Sequence, residues 1–247
     1  MLIKSLFLIL SLSAISIFAE EIPEFLKICK RNDPHFELCV KKSVEALLPY
    51  MKTGVPEYNI PSLEPLFLKE LSASQGTGLK IAAKNVKVFG ASGFKIKKLK
   101  VDTNEFRIGV DLELPRLQIE GQYNINGRIL LLPIHGVGPM RVNVTDVGAV
   151  VRIKTNLYTN PTTGLDHIRI SEFRLKVSIS KGNIELDNLF GGDPMLGEVV
   201  NNAINNNFES FIRELQPLIE KALSEALLEI SNSIVRPFTF KQLFPDN

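Results

Sequence analysis

Cys29 and Cys39 are the only cysteines of this 247-residue chain, and His35, His135 and His167 its only histidines. These residue types most often carry metal or nucleophilic chemistry. Two cysteines cannot supply the four ligands of a structural zinc site, and no two of the histidines have metal-ligand spacing. Gly90-Ala91-Ser92-Gly93 does not fit the G-x-S-x-G elbow that presents a serine nucleophile. Gly76-Thr77-Gly78 lacks the third glycine of a dinucleotide loop, and Gly191-Gly192-Asp193 through Gly197 lacks the Lys-Ser/Thr of a phosphate loop. A catalytic triad is spatial rather than sequential, and nothing in the pattern points at one. The chain reads as a non-enzyme, with no catalytic residue, no metal ligand and no cofactor.

Charge is the other chemistry available. From Lys80 to Lys100 there are seven lysines and no acid: Lys80, Lys84, Lys87, Lys95, Lys97, Lys98 and Lys100. One reading is a solvated edge strand whose lysines block strand-to-strand aggregation. The other is contact with an anionic membrane surface or a receptor through Lys95, Lys97, Lys98 and Lys100. Nucleic acid is disfavoured, because the run holds no arginine and little aromatic interleaving, and the formal net charge is only +2.

Residues 1–19 have the pattern of a secretory signal: Lys4, an apolar run from Leu6 to Phe18, then Ala19 at the cleavage position. Residues 20–247 then form a single domain of a secreted, extracellular protein. A secreted setting permits Cys29 and Cys39 to oxidise, with only one connectivity open to them; two free thiols are the alternative. Asn143-Val144-Thr145 is a glycosylation sequon, whereas Asn160-Pro161-Thr162 is blocked by its proline.

The elements that must position these groups fall into two kinds. Residues 20–51 read as helical, with Asp33-Pro34 as a cap and Phe36, Val40, Val44, Leu47, Leu48 and Met51 at helical spacing. Gly54 ends this helix, and residues 55–68, with Pro56, Pro61 and Pro65, read as an extended connection. The middle alternates with period two. The runs are Phe106 to Leu114, Leu117 to Ile125, Met140 to Val144, Val151 to Thr155, Ile168 to Ile170, and Phe173 to Ile179. Asn126-Gly127 reads as a hairpin turn, and Gly136-Val137-Gly138-Pro139, Asn160-Pro161 with Gly164, and Lys181-Gly182-Asn183 read as breaks between strands. Asp193 then caps one long amphipathic helix that starts at Pro194 and stops before Pro237. At 1.5 Å per residue, Pro194 to Val235 would span roughly 60 Å, against a compact diameter of about 45 Å. Either the body is elongated or the helix bends, and Pro217 is where a bend is expected. Antiparallel strands packed on helices define an α+β fold.

Several segments taken in order resemble the insect takeout and juvenile hormone-binding protein family. They are Cys29 and Cys39 bracketing Asp33-Pro34, the stretch from Gly54 to Leu66, that from Leu114 to Gly127, Leu132-Pro-Ile-His-Gly-Val-Gly138, Leu186-Asp-Asn-Leu-Phe-Gly-Gly192, and Gln242-Leu-Phe-Pro-Asp246. The likeness spans the mature chain. It implies a long C-terminal helix wrapped by a strongly curved antiparallel sheet, with a shorter N-terminal helix, as in tubular lipid-binding proteins. It also implies an internal apolar tunnel for a terpenoid, fatty acid or related lipid. The single cysteine pair resembles the takeout branch; hormone-binding members proper carry a second disulfide.

On that reading the chain is a monomeric carrier of a small hydrophobic ligand. The inward apolar positions expected to line the tunnel are Phe36, Phe67, Ile108, Val110, Leu112, Ile119, Leu130, Leu132, Met140, Val142, Phe173, Val177, Phe208, Phe211 and Leu215. Tyr123 is expected to offer its hydroxyl either to a polar ligand end or to the rim of the fold. A one-residue slip would turn a whole strand's set to the other face.

Overall fold

The computed structural model describes residues 21–75, 78–129 and 132–246. The segment read as a secretory signal lies outside them. The helix α1 (Phe36–Thr53) is followed by seven strands: β1 (Leu66–Gln75), β2 (Leu79–Phe89), β3 (Lys95–Asp102), β4 (Arg107–Ile129), β5 (Leu132–Thr159), β6 (Asp166–Ser178) and β7 (Lys181–Leu186). Three helices close the chain: α2 (Pro194–Asn206), α3 (Phe208–Val235) and the short α4 (Phe240–Leu243).

The strands form one antiparallel sheet in the order β1-β2-β4-β5-β6. β3 extends it beside the first part of β4, and β7 beside the middle of β5. The spine is the pair of β4, 23 residues, and β5, 28 residues, in register from Arg107↔Lys154 to Ile129↔Leu132. Strands this long, at about 3.3 Å per residue, cannot stay flat. The sheet curls, and α3 lies against both of its edge strands, β1 and β6.

The curl is written into the alternation. On β4 the inner face changes from Ile108, Val110, Leu112 and Leu114 to Leu117, Ile119, Tyr123 and Ile125. Pro115 and Arg116 are both exposed between the two sets. Opposite, on β5, it changes from Val144 to Val147, with Asp146 at φ 55°. Because Leu114 pairs with Val147 and Leu117 with Val144, the two strands change phase together and the ladder survives.

Glycines expected to break strands instead let strands pass close to neighbours. Asn126 and Gly127 lie inside β4, not in a turn: a Cβ on Gly127 would sit 2.1 Å from the carbonyl oxygen of Gly78. Gly138 likewise stays within β5, where a Cβ would meet the Asp187 carbonyl at 2.4 Å. Lys181-Gly182-Asn183 opens β7 rather than separating strands. The break at Asn160-Pro161 does form the β5–β6 turn.

Two helical expectations are corrected. Residues 21–35 are not helical; α1 begins at Phe36, after the Asp33 carboxylate accepts the His35 amide at 2.7 Å. The C-terminal helix is interrupted at Asn207 and not at Pro217, which stays exposed inside α3. Asn207 leaves helical geometry at φ −122°, ψ 30°, and its side chain donates to the Ala203 carbonyl at 2.9 Å. Asparagine competes with the helix for its own backbone, and three stand together here, Asn205 to Asn207. Asp193 does cap α2, accepting the Met195 and Leu196 amides at 3.0 Å.

A polar stripe on α2 and α3 fastens these helices to the open strand edges. Asn201 and Asn205 each bond both backbone groups of a β7 residue, Leu186 and Ile184 respectively. Gln216 and Glu220 take the carbonyl and amide of Val177, Ser224 the amide of Leu175, and Asn232 both groups of Ile170. The side chains supply what a further strand would have supplied, so β6 and β7 leave few backbone groups unpaired on that edge.

Cys29 and Cys39 form a disulfide, which ties the irregular N-terminal segment to the first turns of α1. On the chain-entropy model a loop of 10 residues is worth about 2.7 kcal/mol. Replacing both cysteines by serine is expected to lower the unfolding free energy from urea denaturation by about that amount, with a lower midpoint. An unaltered midpoint would remove the disulfide from the account of stability.

Candidate functional site

The interior between sheet and helices differs from end to end. At the α2 end it is filled. Ile129, Ile134, Val144, Ile184, Leu189, Ile204, Phe208, Phe211, Ile212, Leu215 and Leu218 form one buried cluster. A cavity beneath Val200, Ile204 and Phe211 holds about 50 Å³, which is too little for a lipid. The other half of α3 is packed differently. No residue after Ala222 is fully buried, yet only Glu225 and Glu229 are exposed on the stretch to Val235. Its apolar side chains are half-buried, with Leu223 and Leu227 packed on Ala149, Val151 and Leu175.

At the end of this stretch, beside Val235, lies a pocket of about 370 Å³ between α1, the ends of β3 to β6 and the C-terminal segment. This lies within the 300–1,000 Å³ usual for small-molecule sites. Its walls are apolar. Val40, Val44 and Leu47 come from α1, Val101, Phe106 and Ile108 from the β3–β4 turn region, Ile153, Ile168 and Ile170 from β5 and β6, and Val235, Phe240, Leu243 and Phe244 from the chain's end. Ser43 in the α1 wall spends its hydroxyl on the Lys27 carbonyl, at 2.6 Å. The remaining polar groups are few: Lys27, Arg31, Asp102, Thr103, Arg107 and Thr155.

Three tethers hold this end. The disulfide is the first. The second is the C-terminal strap: the Arg31 guanidinium pairs with Asp246 and sits 4.8 Å over the Phe240 ring, and Phe244 packs near Phe36 and Phe240. The third is Glu64, in the connection after α1, whose carboxylate accepts the amides of Gly90 and Ser92 and the Ser92 hydroxyl at 2.7–2.9 Å. Burial raises the Glu64 pKa, but these hydrogen bonds and the charge of Lys52 outweigh it and hold the carboxyl below its ordinary value.

The residues expected to line a tunnel do not fall in one place. Ile108 lines the pocket. Val110, Leu112, Phe173 and Val177 stand half-buried beside it, around Ala149, Val151 and Leu175 and facing Leu223 and Leu227 of α3; Ile153 belongs to both groups. Met140, Val142, Phe208, Phe211 and Leu215 belong to the filled end, and Ile119 is half-buried beside Val142 on β5. Phe36 is buried against Phe244, outside the pocket lining. Phe67 is turned outward with half of its surface exposed, and its neighbour Leu68 is inside, so the inward assignment there is off by one residue. Leu130 lies outside the described residues, and of Leu132 only the backbone, paired with Ile129, is described.

Of the two expectations for Tyr123, the structure shows the hydrogen bond within the fold. It is buried and donates to the Asp187 carbonyl at 2.7 Å; burial, then the Asp187 charge, pushes its phenol up to about 12. Tyr123→Phe is expected to cost about 1 kcal/mol in chemical denaturation and to leave ligand uptake unchanged. Uptake weakened tenfold would return the hydroxyl to the site.

What sequence reasoning missed was the wall formed by the chain's own end. Phe240, Leu243 and Phe244 contribute three rings or branches to the pocket, and the only signal was the Gln242-Leu-Phe-Pro-Asp246 segment carried by the family resemblance. The α1 stripe of Val40, Val44 and Leu47 was visible at helical spacing, but as a packing face.

The lysines divide. Lys97 pairs with Glu113 at 2.8 Å, whereas Lys98 and Lys100 make no ion pair among the described residues. Asn143 sits on the outer side of β5 between Gln118 and Asn183. His35, His135 and His167 are spread over the α1 cap, β5 and β6. Among the described residues no three His, Cys, Asp or Glu side chains gather as metal ligands, and no helix is long and apolar enough to cross a membrane.

The curled sheet closed by a long helix finds its counterpart in a solved structure, and the chain finds relatives in sequence. Epiphyas postvittana Takeout 1 superposes with a TM-score of 0.73 at 21% identity, over 89% of this chain and 99% of that one. The model of the haemolymph juvenile hormone binding proteins matches residues 5–245. The chain belongs to that family. Among its relatives are the circadian clock-controlled protein daywake of Drosophila melanogaster, 25% identical over 92% of this chain and 89% of the relative. A Schistocerca gregaria protein provisionally named for beta-carotene binding is 20% identical over 87% and 86%. The α+β fold expected from the sequence is therefore the one observed, and the family assignment stands.

Proposed function

We propose that this haemolymph juvenile hormone binding protein family member is a secreted, monomeric, non-enzymatic carrier. It would hold an elongated hydrophobic molecule, a terpenoid, fatty acid or related lipid, in the pocket under α1. The observation that carries the reading is the contrast along α3. Its first half is embedded in side chains, whereas its second half is only half-buried and ends, at Val235, on the wall of an apolar pocket of about 370 Å³ that the protein does not fill. The name of the Schistocerca gregaria relative supports an apolar cargo.

Binding works by removing the ligand's apolar surface from water. At about 25 cal/mol per Å², burying roughly 300 Å² contributes about 7.5 kcal/mol before the costs of ordering the ligand. The polar groups Arg31, Arg107 and Thr155 among the pocket residues are already engaged, with Asp246, Glu105 and the Phe106 carbonyl respectively, so apolar contact supplies most of the hold on the cargo.

The test is to purify the protein from its native source, extract it with organic solvent and identify what comes off by mass spectrometry. The delipidated protein is then titrated with a fluorescent fatty acid and a fluorescent terpenoid. A stoichiometric lipid and saturable uptake are expected. No extracted lipid together with no saturable uptake of either probe would end the carrier reading.

A further inference from the structure

The outer face of the sheet, behind the pocket, has a charge pattern that the carrier reading does not use. Strand pairing sets four strands side by side there. Lys100, Gly109, Arg152 and Arg174 form one cross-strand row on β3, β4, β5 and β6, and Lys98, Asp111, Val150 and Lys176 form the next. With strands about 4.8 Å apart, each row is roughly 15 Å long. Gly109 has no side chain, so Arg152 lies across it: a Cβ there would stand 3.4 Å from the Arg152 side chain. The result is a groove lined by six basic and three acidic side chains.

Of the six, the arginines are partly neutralised: Arg152 by Asp111 at 3.0 Å, Arg107 by Glu105 at 2.9 Å, and Arg174 by Glu172. Lys98, Lys100 and Lys154 make no ion pair among the described residues, so their charge is available to an outside partner. The groove also has a definite place in the fold. It shares Asp102, Arg107, Ile108 and Ile153 with the apolar pocket, so basic surface runs up to the pocket's rim. Past that rim the β5–β6 hairpin projects, beginning a few residues beyond Lys154. It exposes Leu157, Tyr158 and Leu165 by 39%, 40% and 46%.

Basic surface, exposed apolar and aromatic side chains on a projecting hairpin, and the mouth of an apolar pocket thus occur together at one end of the molecule. An acidic protein would account for the charge alone. A bilayer of anionic lipid accounts for all three: headgroups for the lysines, the interfacial layer for Tyr158 and the leucines, and the apolar interior as source or sink of the cargo. We propose that this face docks on an anionic lipid bilayer and sets the pocket mouth against it, so that cargo passes between membrane and pocket by contact. The proposal rests on the carrier reading, and the experiment separates the two.

Protein without probe is first sedimented with phosphatidylcholine vesicles and with mixed phosphatidylcholine–phosphatidylserine vesicles. Binding to the mixed vesicles, lost at high salt, is expected. Lys98→Gln, Lys100→Gln and Lys154→Gln together should weaken it by about fivefold per lysine, on the order of 100-fold in all. Protein loaded with a fluorescent fatty acid is then mixed with acceptor vesicles. Its transfer rate should rise with vesicle concentration and with phosphatidylserine content, and the triple variant should transfer more slowly at unchanged affinity for the probe. None of the three lysines lines the pocket, so affinity reports on the carrier function separately. No salt-sensitive sedimentation overturns the docking face and leaves an acidic protein as the partner for the groove. A transfer rate independent of vesicle concentration overturns transfer by contact even if sedimentation occurs. A protein that takes up no probe fails as a carrier, and sedimentation still decides the docking face.

Discussion

Phe211→Ala is expected to cost about 3–5 kcal/mol of stability and leave ligand affinity within about twofold, whereas Val44→Trp is expected to do the reverse. Phe211 is buried at the filled end, among Ile129, Ile134 and Ile204 and beside a cavity that already holds about 50 Å³. Removing its ring enlarges a void that the long paired strands around it cannot collapse into, so the loss includes the cavity as well as the transfer free energy. Val44 stands half-buried on the α1 wall of the open pocket. A tryptophan there grows into space the protein leaves unfilled, so the unliganded fold gives up little. On the carrier reading that space is the cargo's, and affinity is expected to fall at least 30-fold. Urea denaturation and fluorescent-ligand titration of the two variants decide the matter. If Phe211→Ala lost affinity in proportion to its stability, or Val44→Trp bound normally, the division of the interior into a packed and a binding half would be wrong.

That division also explains which parts of the molecule were legible in the sequence. The strand phases were readable, including the change at Pro115: Ile108, Val110 and Leu112 precede it, Ile119 and Tyr123 follow it, and both sets face inward in the structure. Period-two patterns survive because a face either meets the interior or water. A packed wall and an open wall, however, demand the same residue types. Phe208, Phe211 and Leu215 in the core and Ile108, Val44 and Leu47 in the pocket differ only in whether anything stands opposite, which is a property of chain path. The pocket wall from Phe240, Leu243 and Phe244 depends on the chain's end folding back to within reach of Arg31, a pairing 215 residues apart in sequence.

The helix break and the strand glycines were misread for a shared reason. Local signals, a proline in a helix or Asn-Gly in a strand, state what the backbone can do, and tertiary contacts select what it does. Pro217 is exposed and tolerated. Asn207 ends α2 at the point where Asn201 and Asn205 have just bonded to β7, and α3 then continues along β6. The polar stripe could have been noticed. Asn201, Asn205, Gln216, Glu220, Ser224 and Asn232 recur at multiples of four except at the break, a periodicity of amides and hydroxyls that a search for apolar stripes passes over.

Glu220 is the member of that stripe whose loss is expected to cost most. It is 5% exposed, and its carboxylate accepts from the Val177 amide at 3.0 Å, the Gln216 amide at 2.9 Å and the Lys176 ammonium at 2.6 Å. Burial raises its pKa, but the hydrogen bonds from Lys176, Gln216 and Val177 prevail and hold it below the ordinary 4.5. Lys176 is mostly exposed and can return to water, so the cost of Glu220→Ala comes chiefly from the buried donors left unpaired. About 3 kcal/mol is expected from urea denaturation at neutral pH. The pH dependence has a definite sign. The folded pKa lies below the unfolded one, so the unfolded chain takes up the proton first as pH falls. The contribution of Glu220 is therefore whole above the unfolded value of about 4.5 and is lost as pH drops through the lower folded value. Glu64 is shifted in the same direction and adds to the acid slope. Glu220→Gln keeps the shape but cannot titrate, so its stability should fall less steeply below pH 4.5 than that of the unaltered protein. Equal acid slopes in the two proteins would show that the carboxylate does not fasten α3 to β6 through its charge. The edge would then be held by the neutral members of the stripe, Gln216, Ser224 and Asn232, and by the apolar contact between helix and sheet.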